Sequence, residues 1–167
     1  RSLRLAEVVG KRDLKRFVGH QSSVWASALS SEGKWALSGG MDGSVRYWSV
    51  ETTQQKWKLD GHNGLVTTVA FVAEGDQAIS GGLDGFVILW DLQTGKEIRR
   101  WRGPMKYVHS VAVSPNGTNV LIAADRKIWE WNPQTGKAVR SYEGHTSSVT
   151  CVAFAPGGKS FVSGSDD

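Results

Sequence analysis

Residues 61–90 read GHNGLVTTVAFVAEGDQAISGGLDGFVILW, and Asp91 follows. Short apolar runs are separated here by turn residues, a pattern typical of β-strands joined by tight connections. The stretch opens on a Gly-His pair and closes on a Trp-Asp pair, with Ser80 and Asp84 between them. These residue types recur together elsewhere in the chain, and their spacing is the main sequence signal of the fold.

The repeat has a period in the forties. His20 lies 42 residues before His62, and a tryptophan follows each of these histidines after 28 residues. A third set begins at His145 and ends at the last residue of the chain. The three sets are His20, Ser38, Asp42 and Trp48; His62, Ser80, Asp84 and Trp90; and His145, Ser163 and Asp167. A fixed period of this length indicates one supersecondary unit used several times.

Each complete repeat predicts four short strands with turn signals between them. We place repeat one at residues 19–60 and repeat two at 61–102. Repeat three, at 103–143, is degenerate, because Pro104 replaces the histidine and Ile122 and Ala123 occupy the strand that carries serine elsewhere. Residues 144–167 predict only two inner strands, and residues 1–18 predict two outer strands.

These motifs resemble the WD-repeat family of β-propellers over nearly the whole chain. The resemblance implies an all-β fold, a β-propeller built of four-stranded antiparallel blades, with four blades per chain. It also implies a role for the eleven residues of the three sets: aspartate accepts a hydrogen bond from histidine, histidine contacts serine, and serine contacts the tryptophan indole. A catalytic triad occurs once in a protein, whereas this set recurs, so we predict a structural network and no catalytic residue.

The two ends of the chain are complementary. Asp167 followed by residues 1–7 aligns with residues 42–49, so the two termini together supply one blade. We predict that two chains assemble head to tail into an eight-blade ring with two-fold symmetry. A fragment of a larger ring and a closed four-blade ring are the alternatives.

The resemblance implies a non-catalytic scaffold that binds a protein or peptide, and not an enzyme. Positions that contact partners in the family fall on a set of mostly large apolar residues, which we predict as the binding face: Trp25, Met41, Leu65, Leu83, Tyr107 and His109. Packing against neighbouring blades or another subunit is an equal alternative for these side chains. The alternative function is a structural or regulatory repeat region of a larger protein whose activity lies outside this chain.

The net charge of +4 lies entirely in residues 1–18. One interpretation is a site for an anionic ligand such as nucleic acid. The other is the solvent-facing surface of an outer strand, which we favour because the segment lacks interleaved aromatic residues. Binding that weakens with salt and is lost on replacing Lys11, Arg12, Lys15 and Arg16 would support the first interpretation.

Several site classes leave no sequence signal. Cys151 is the only cysteine, so no intrachain disulfide is possible, and we predict a buried strand residue there. Without a cysteine pair or an H-x-x-x-H motif we predict no metal and no cofactor. No apolar run approaches the ~18 residues of a membrane span. The N-terminus has no signal peptide, which predicts a cytoplasmic location. It also has no Met, which predicts that the 167 residues were cut from a longer chain or processed.

Overall fold

The computed structural model describes residues 2–7, 12–72 and 75–167. These residues form an all-β structure of sixteen strands in five antiparallel sheets. The N-terminal hairpin is β1 (Ser2–Glu7) and β2 (Arg12–Val18). The first complete blade is β3 (Val24–Leu29), β4 (Trp35–Gly40), β5 (Ser44–Ser49) and β6 (Gln55–Asp60).

The second blade is β7 (Val66–Val72), β8 (Gln77–Gly82), β9 (Val87–Asp91) and β10 (Lys96–Trp101). The third is β11 (Val108–Val113), β12 (Val120–Ala124), β13 (Lys127–Asn132) and β14 (Lys137–Tyr142). The C-terminal hairpin is β15 (Val149–Phe154) and β16 (Phe161–Ser165). In each complete blade the strands lie side by side in chain order, as the all-β propeller prediction requires.

The blades pack face to face, and the core lies between them. Strands β4, β8 and β12 are buried along nearly their whole length, because a neighbouring blade or a terminal hairpin packs against each face. Leu37 and Tyr47 of the first blade pack with Val66, Ile88 and Trp90 of the second in one apolar cluster. Outer strands such as β10 and β14 are mostly exposed, so the core narrows toward the edge of each blade.

Glycines set how closely adjacent blades approach. A Cβ atom on Gly39 would lie 2.5 Å from Cγ1 of Val66 in the next blade, and one on Gly81 would lie 2.5 Å from Cγ1 of Val108. Neither position has room for a side chain, since real Cβ atoms do not approach a carbon this closely. Gly33, by contrast, forms the turn after β3 with a φ of 69°, a conformation that glycine adopts without steric cost.

The third repeat forms a complete blade although its motif is degenerate. Its four strands pair without interruption from β11 to β14. The rings of Trp101 and Trp131 stack at 5.9 Å with an interplanar angle of 17°. Apolar packing therefore replaces the polar set that the other repeats carry. Among the described residues, no helix has the length and apolar character needed to cross a membrane.

The terminal hairpins are separate two-stranded sheets. The hairpin β1–β2 packs against the first blade, where Phe17 contacts the cluster of Ala36, Trp48 and Val50. The hairpin β15–β16 packs against the third blade, where Val149 and Val152 join another cluster. Within one chain, strands β1 and β16 are not hydrogen-bonded neighbours in any of the described sheets.

Candidate functional site

The first repeated set forms a continuous chain of hydrogen bonds. His20 Nδ1 lies 3.0 Å from Asp42 Oδ2, and His20 Nε2 lies 2.7 Å from Ser38 Oγ. The indole Nε1 of Trp48 donates to the same Ser38 Oγ at 2.8 Å. With a neutral imidazole donating from Nδ1 to the carboxylate, Nε2 accepts from the serine hydroxyl, which in turn accepts from the indole. Every side-chain nitrogen and oxygen of these four residues is hydrogen-bonded.

The second set repeats this geometry. His62 Nδ1 lies 3.0 Å from Asp84 Oδ2, and His62 Nε2 lies 2.8 Å from Ser80 Oγ. Trp90 Nε1 donates to Ser80 Oγ at 2.8 Å. Ser38 and Ser80 are both fully buried, so their hydroxyls lie under the strands and away from the protein surface.

The third set lacks its tryptophan. His145 Nδ1 lies 3.1 Å from Asp167 Oδ1, and His145 Nε2 lies 3.0 Å from Ser163 Oγ. The side chains of His145 and Asp167 are each 28% exposed. Ala6, which aligns with Trp48 and Trp90, is an exposed residue of β1 in a different sheet. The C-terminal hairpin therefore holds a histidine–serine–aspartate set with no indole donor.

The carboxylates of these sets have lowered pKa values. Burial acts to raise the pKa of Asp42, but hydrogen bonds from the Ser44 hydroxyl, the Gln21 N–H and His20 outweigh burial and hold that pKa well below its usual value. Burial likewise acts to raise the pKa of Asp84, but the hydrogen bond from His62 outweighs burial and lowers that pKa.

The pKa values of Asp167 and His20 are also lowered, each for a different reason. The backbone N–H of Thr146 is the main cause that lowers the pKa of Asp167 to about 2. At His20 burial dominates and lowers the pKa below 6.5, against the raising effect of Asp42. Both shifts favour the form that completes the network: an ionised Asp167 and a neutral His20.

Each turn aspartate also holds the loop that precedes an inner strand. In all four repeats a carboxylate oxygen accepts a backbone N–H of this loop. The N–H belongs to the residue after the histidine in three repeats, and to the second residue after Pro104 in the degenerate third repeat. The four pairs are Gln21 with Asp42 at 2.8 Å, Asn63 with Asp84 at 2.9 Å, Lys106 with Asp125 at 3.1 Å and Thr146 with Asp167 at 2.6 Å. The third repeat thus keeps its loop anchor although it has lost its histidine and serine.

The third blade fills the place of the missing set with apolar side chains. Met105 is almost fully buried and packs with Trp101, Ile122 and Trp131. The register of β11 and β12 pairs Val111 with Ile122, as Val69 pairs with Ser80 in the second blade. Ile122 therefore stands where an acceptor for the indole would be. In the described part of the chain, Nε1 of Trp131 and of Trp101 are buried without a hydrogen-bond partner.

The residues of the predicted binding face lie at the start of inner strands β3 and β11, in the loops before the inner strands, and in the turns after β4 and β8. Trp25 is 64% exposed and Met41 60%, and Leu83 and Tyr107 are also exposed. Leu65 and His109 are partly buried. The structure brings Leu83 beside Leu65, whose carbonyl accepts the Leu83 N–H at 3.0 Å.

Other members of this face are also held in place. The Met41 N–H is bound at 2.8 Å by the carbonyl of Ser23, on the loop that leads to Trp25. The rings of Tyr107 and His109 lie 6.4 Å apart, and the Lys106 ammonium sits 5.0 Å from the Tyr107 ring centroid. Large side chains are thus exposed on backbone that is fixed by hydrogen bonds.

The basic N-terminal segment is only partly described. Arg1 and Lys11 lie outside the described residues, and of Arg12 only the backbone in β2 is described. Lys15 Nζ donates to the carbonyls of Val50 and Glu51 at 2.7 and 2.6 Å, so this ammonium is bound by the first blade. Arg16 is exposed.

Across residues 2–7, 12–72 and 75–167, no group of three or more His, Cys, Asp or Glu side chains comes together as a metal site requires.

Sequence reasoning was wrong about Cys151, which is exposed rather than buried. Its counterpart in the second blade, Thr68, is buried because the third blade covers it, and Thr68 Oγ1 accepts the N–H of Val111 there. No described blade covers the corresponding face of β15 and β16. Val162 of β16, which sequence reasoning did not single out, is 71% exposed on that face. Its signal in the sequence is its alignment with Leu37 and Ile79, which are fully buried.

Comparison with family models matches the WD domain, G-beta repeat (WD40) to four segments: residues 11–49, 53–91, 95–132 and 136–167. The first three matches begin at an outer strand and end with the third strand of the following sheet, and the fourth ends after β16. They therefore divide the same period at a different point from the repeats defined above. No curated protein matches the chain.

Proposed function

Because the chain belongs to the WD40 repeat family, whose repeats generally serve as protein-interaction scaffolds, we propose that it binds a protein or peptide through the face defined by Trp25, Met41, Leu65, Leu83, Tyr107 and His109. The observation that carries the proposal is the exposure of Trp25, at the start of β3, and of Met41, in the turn that is hydrogen-bonded to Ser23. Aromatic residues and Met are enriched at protein interfaces, and a rigid presentation lowers the entropy lost on binding.

The proposed role of the histidine–serine–aspartate sets is structural. A hydrolase would need a serine that a substrate can reach, and Ser38 and Ser80 are both fully buried. Each of these hydroxyls also accepts from an indole, Trp48 or Trp90, which a nucleophile has no need of. The recurrence of the set in successive blades supports the same interpretation.

The experiment that tests the binding face uses peptides selected from a random phage-displayed library against the whole chain. We expect the selected peptides to lose about tenfold or more in affinity with Trp25→Ala and with Met41→Ala, measured by calorimetry. Ile98→Ala is the matched control, since Ile98 is an exposed apolar residue on outer strand β10. The proposal would be overturned by peptides that lose affinity with Ile98→Ala but keep it with both Trp25→Ala and Met41→Ala.

We also propose that two copies of the chain assemble into one ring of eight blades. Strands β1 and β16 each have one hydrogen-bonded neighbouring strand, so no other strand of the described sheets lies along the second edge of either. Unpaired edges of this kind are templates for pairing with another chain. Light scattering on a sizing column tests the ring: the expected mass is about 36.4 kDa, twice the 18.2 kDa of one chain.

A further inference from the structure

The two terminal hairpins have the strand registers of the outer and inner halves of a blade. Strand β1 pairs β2 with Leu3 opposite Phe17 and a bulge after Leu5. Strand β5 pairs β6 in the same way, with Val45 opposite Leu59 and a bulge after Tyr47. The hairpin β1–β2 therefore reproduces the outer half of a complete blade, residue by residue.

The hairpin β15–β16 reproduces the inner half. Ala153 lies opposite Val162, as Ala70 lies opposite Ile79 in the second blade. The bulge falls between Val149 and Cys151, at the place of the bulge between Val66 and Thr68. Each hairpin thus has the register that pairing with the other requires.

A cavity beside β1 has the place and lining of a missing second strand. It measures about 210 Å³ and is lined mainly by apolar side chains: Leu3, Leu5, Phe17, Ala28, Leu29, Ala36 and Val50. In the first complete blade the counterparts of Leu3, Leu5 and Phe17 are Val45, Tyr47 and Leu59, and these surround Leu37 of the second strand. A side chain equivalent to Leu37 is what this cavity lacks.

The matching side chain stands at the other end of the molecule. Val162 occupies the position of Leu37 and Ile79, both fully buried, yet it is 71% exposed. Beside it, Gly164 occupies the position of Gly39 and Gly81, whose missing Cβ atoms admit a valine of the next blade. Near Gly164 no valine stands in the described chain, and its nearest neighbour is Cys151 Sγ. Val24, the counterpart of Val66 and Val108, is only partly buried.

The hydroxyl of Thr150 also fits the position of a second copy beside β16. Thr67 Oγ1 donates across to the next blade, to the carbonyl of Val108 at 2.7 Å. Its counterpart Thr150 is exposed and reaches only Gly164 O, at 3.3 Å. A second copy that placed Val24 against Gly164 would bring the Val24 carbonyl to this hydroxyl.

We infer that β16 of one copy pairs antiparallel with β1 of a second copy, with Val162 opposite the second copy's Leu5 and seated in its 210 Å³ cavity. The register follows from Leu37 opposite Tyr47 in the first blade. The same contact formed twice closes the ring, and its partner is a second copy of this chain. This inference rests on the two-copy ring proposed above and adds its register and its central side chain.

Disulfide trapping tests the register. In a Cys151→Ala background, Leu5→Cys with Val162→Cys should give a covalent dimer on copper-phenanthroline oxidation, seen on a non-reducing gel and lost on reduction. Directly opposite residues have Cβ atoms close enough for a disulfide, whereas diagonal ones stand ~7–8 Å apart. Leu3→Cys with Val162→Cys is therefore the out-of-register control, and we expect at least tenfold less covalent dimer from it.

A charge at Val162 tests the cavity. Val162→Asp should shift the mass from about 36.4 to 18.2 kDa, while the circular dichroism spectrum stays unchanged because the residue is exposed in a single chain. Val18→Asp is the matched control. Val18 is 68% exposed and corresponds to Asp60, so aspartate is already accepted at that place in a blade.

The outcomes separate the two proposals. A parent chain of 18.2 kDa at every concentration overturns the ring and, with it, the contact inferred here. A 36.4 kDa parent whose mass survives Val162→Asp, or whose two cysteine pairs cross-link equally, keeps the ring and overturns this contact.

Discussion

The indole nitrogen of Trp90 lies 2.8 Å from the hydroxyl oxygen of Ser80, a residue with no solvent exposure. The same hydroxyl is hydrogen-bonded to Nε2 of His62, so the serine is the hydrogen-bond partner of both the indole and the imidazole. Buried polar groups that lose their partner cost more than the hydrogen bond itself contributed, because they cannot return to water.

Ser80→Ala should therefore destabilise the chain by about 1–3 kcal/mol, since it leaves the indole of Trp90 and the imidazole of His62 without that partner. Urea unfolding and a lowered melting temperature measure the effect. Ser163→Ala is the control: Ser163 is partly buried and has no indole donor, so its loss should be under about 1 kcal/mol. Equal losses in the two variants would contradict this account of the network.

Ile122→Thr should be tolerated better than threonine at other buried isoleucines. Ile122→Val sets the baseline, and the added hydroxyl can accept from Trp131 Nε1, which has no partner in the described structure. At Ile88 the neighbouring Trp90 indole is already bound, so threonine there leaves its hydroxyl unpaired. Relative to valine, we expect threonine to cost about 1–3 kcal/mol at Ile88 and about 1 kcal/mol less at Ile122, by urea unfolding. Equal losses of unfolding free energy at the two positions would show that the threonine hydroxyl at position 122 does not accept a hydrogen bond from Trp131.

Acidification should lower stability in two steps. The pKa of His20 is lowered by burial, so between that lowered value and 6.5 the unfolded state binds more protons than the folded state, and stability falls as pH falls. The pKa of Asp42 is lowered in the folded state by hydrogen bonds that outweigh burial, so a further loss begins below about pH 3.8. Urea midpoints at pH 7.5, 6, 5 and 4 measure the first step, and His20→Gln should flatten it. A midpoint that rises on acidification would refute the assignment.

Gly39→Ala and Gly164→Ala should differ in what they disturb. A Cβ on Gly39 meets Val66 of the next blade at 2.5 Å, so the substitution should cost about 1–3 kcal/mol in unfolding free energy. In a Cys151→Ala background, Gly164→Ala meets no other blade of its own chain. It should leave the monomer's stability within about 0.5 kcal/mol and weaken the two-copy assembly. Sedimentation against concentration checks this, and a Gly164→Ala dimer as tight as the parent would count against the contact.

Sequence reasoning located the repeat and its strands because each depends on local signals. Four strands form in each of the first two repeats, as the turn signals predict, and β15 and β16 form where two inner strands were predicted. The exposure of Cys151 was missed, because burial in this fold depends on whether another blade stands beside the strand. Strand pattern alone does not contain that information.

The third blade shows the same limit. Pro104 and Ile122 mark the loss of the polar set in the sequence, but the substitute comes from Met105, a neighbour of the lost histidine position. Met105 fills this place because it packs against side chains from three strands, β10, β12 and β13, and the sequence alone does not show that these strands come together. The loop anchor at Asp125 could have been predicted, since the aspartate is retained in the turn.

The carboxylates that bind the loops ahead of the inner strands have a consequence for how such a surface can be altered. Asp42 and Asp84 hold their loops through the backbone N–H groups of Gln21 and Asn63, so the anchoring does not depend on which side chains those loops carry. Trp25 and Met41 can then be exchanged for other residues while the underlying blade keeps its geometry. The proposed binding face is thereby open to redesign one position at a time, with scaffold and specificity as independent variables.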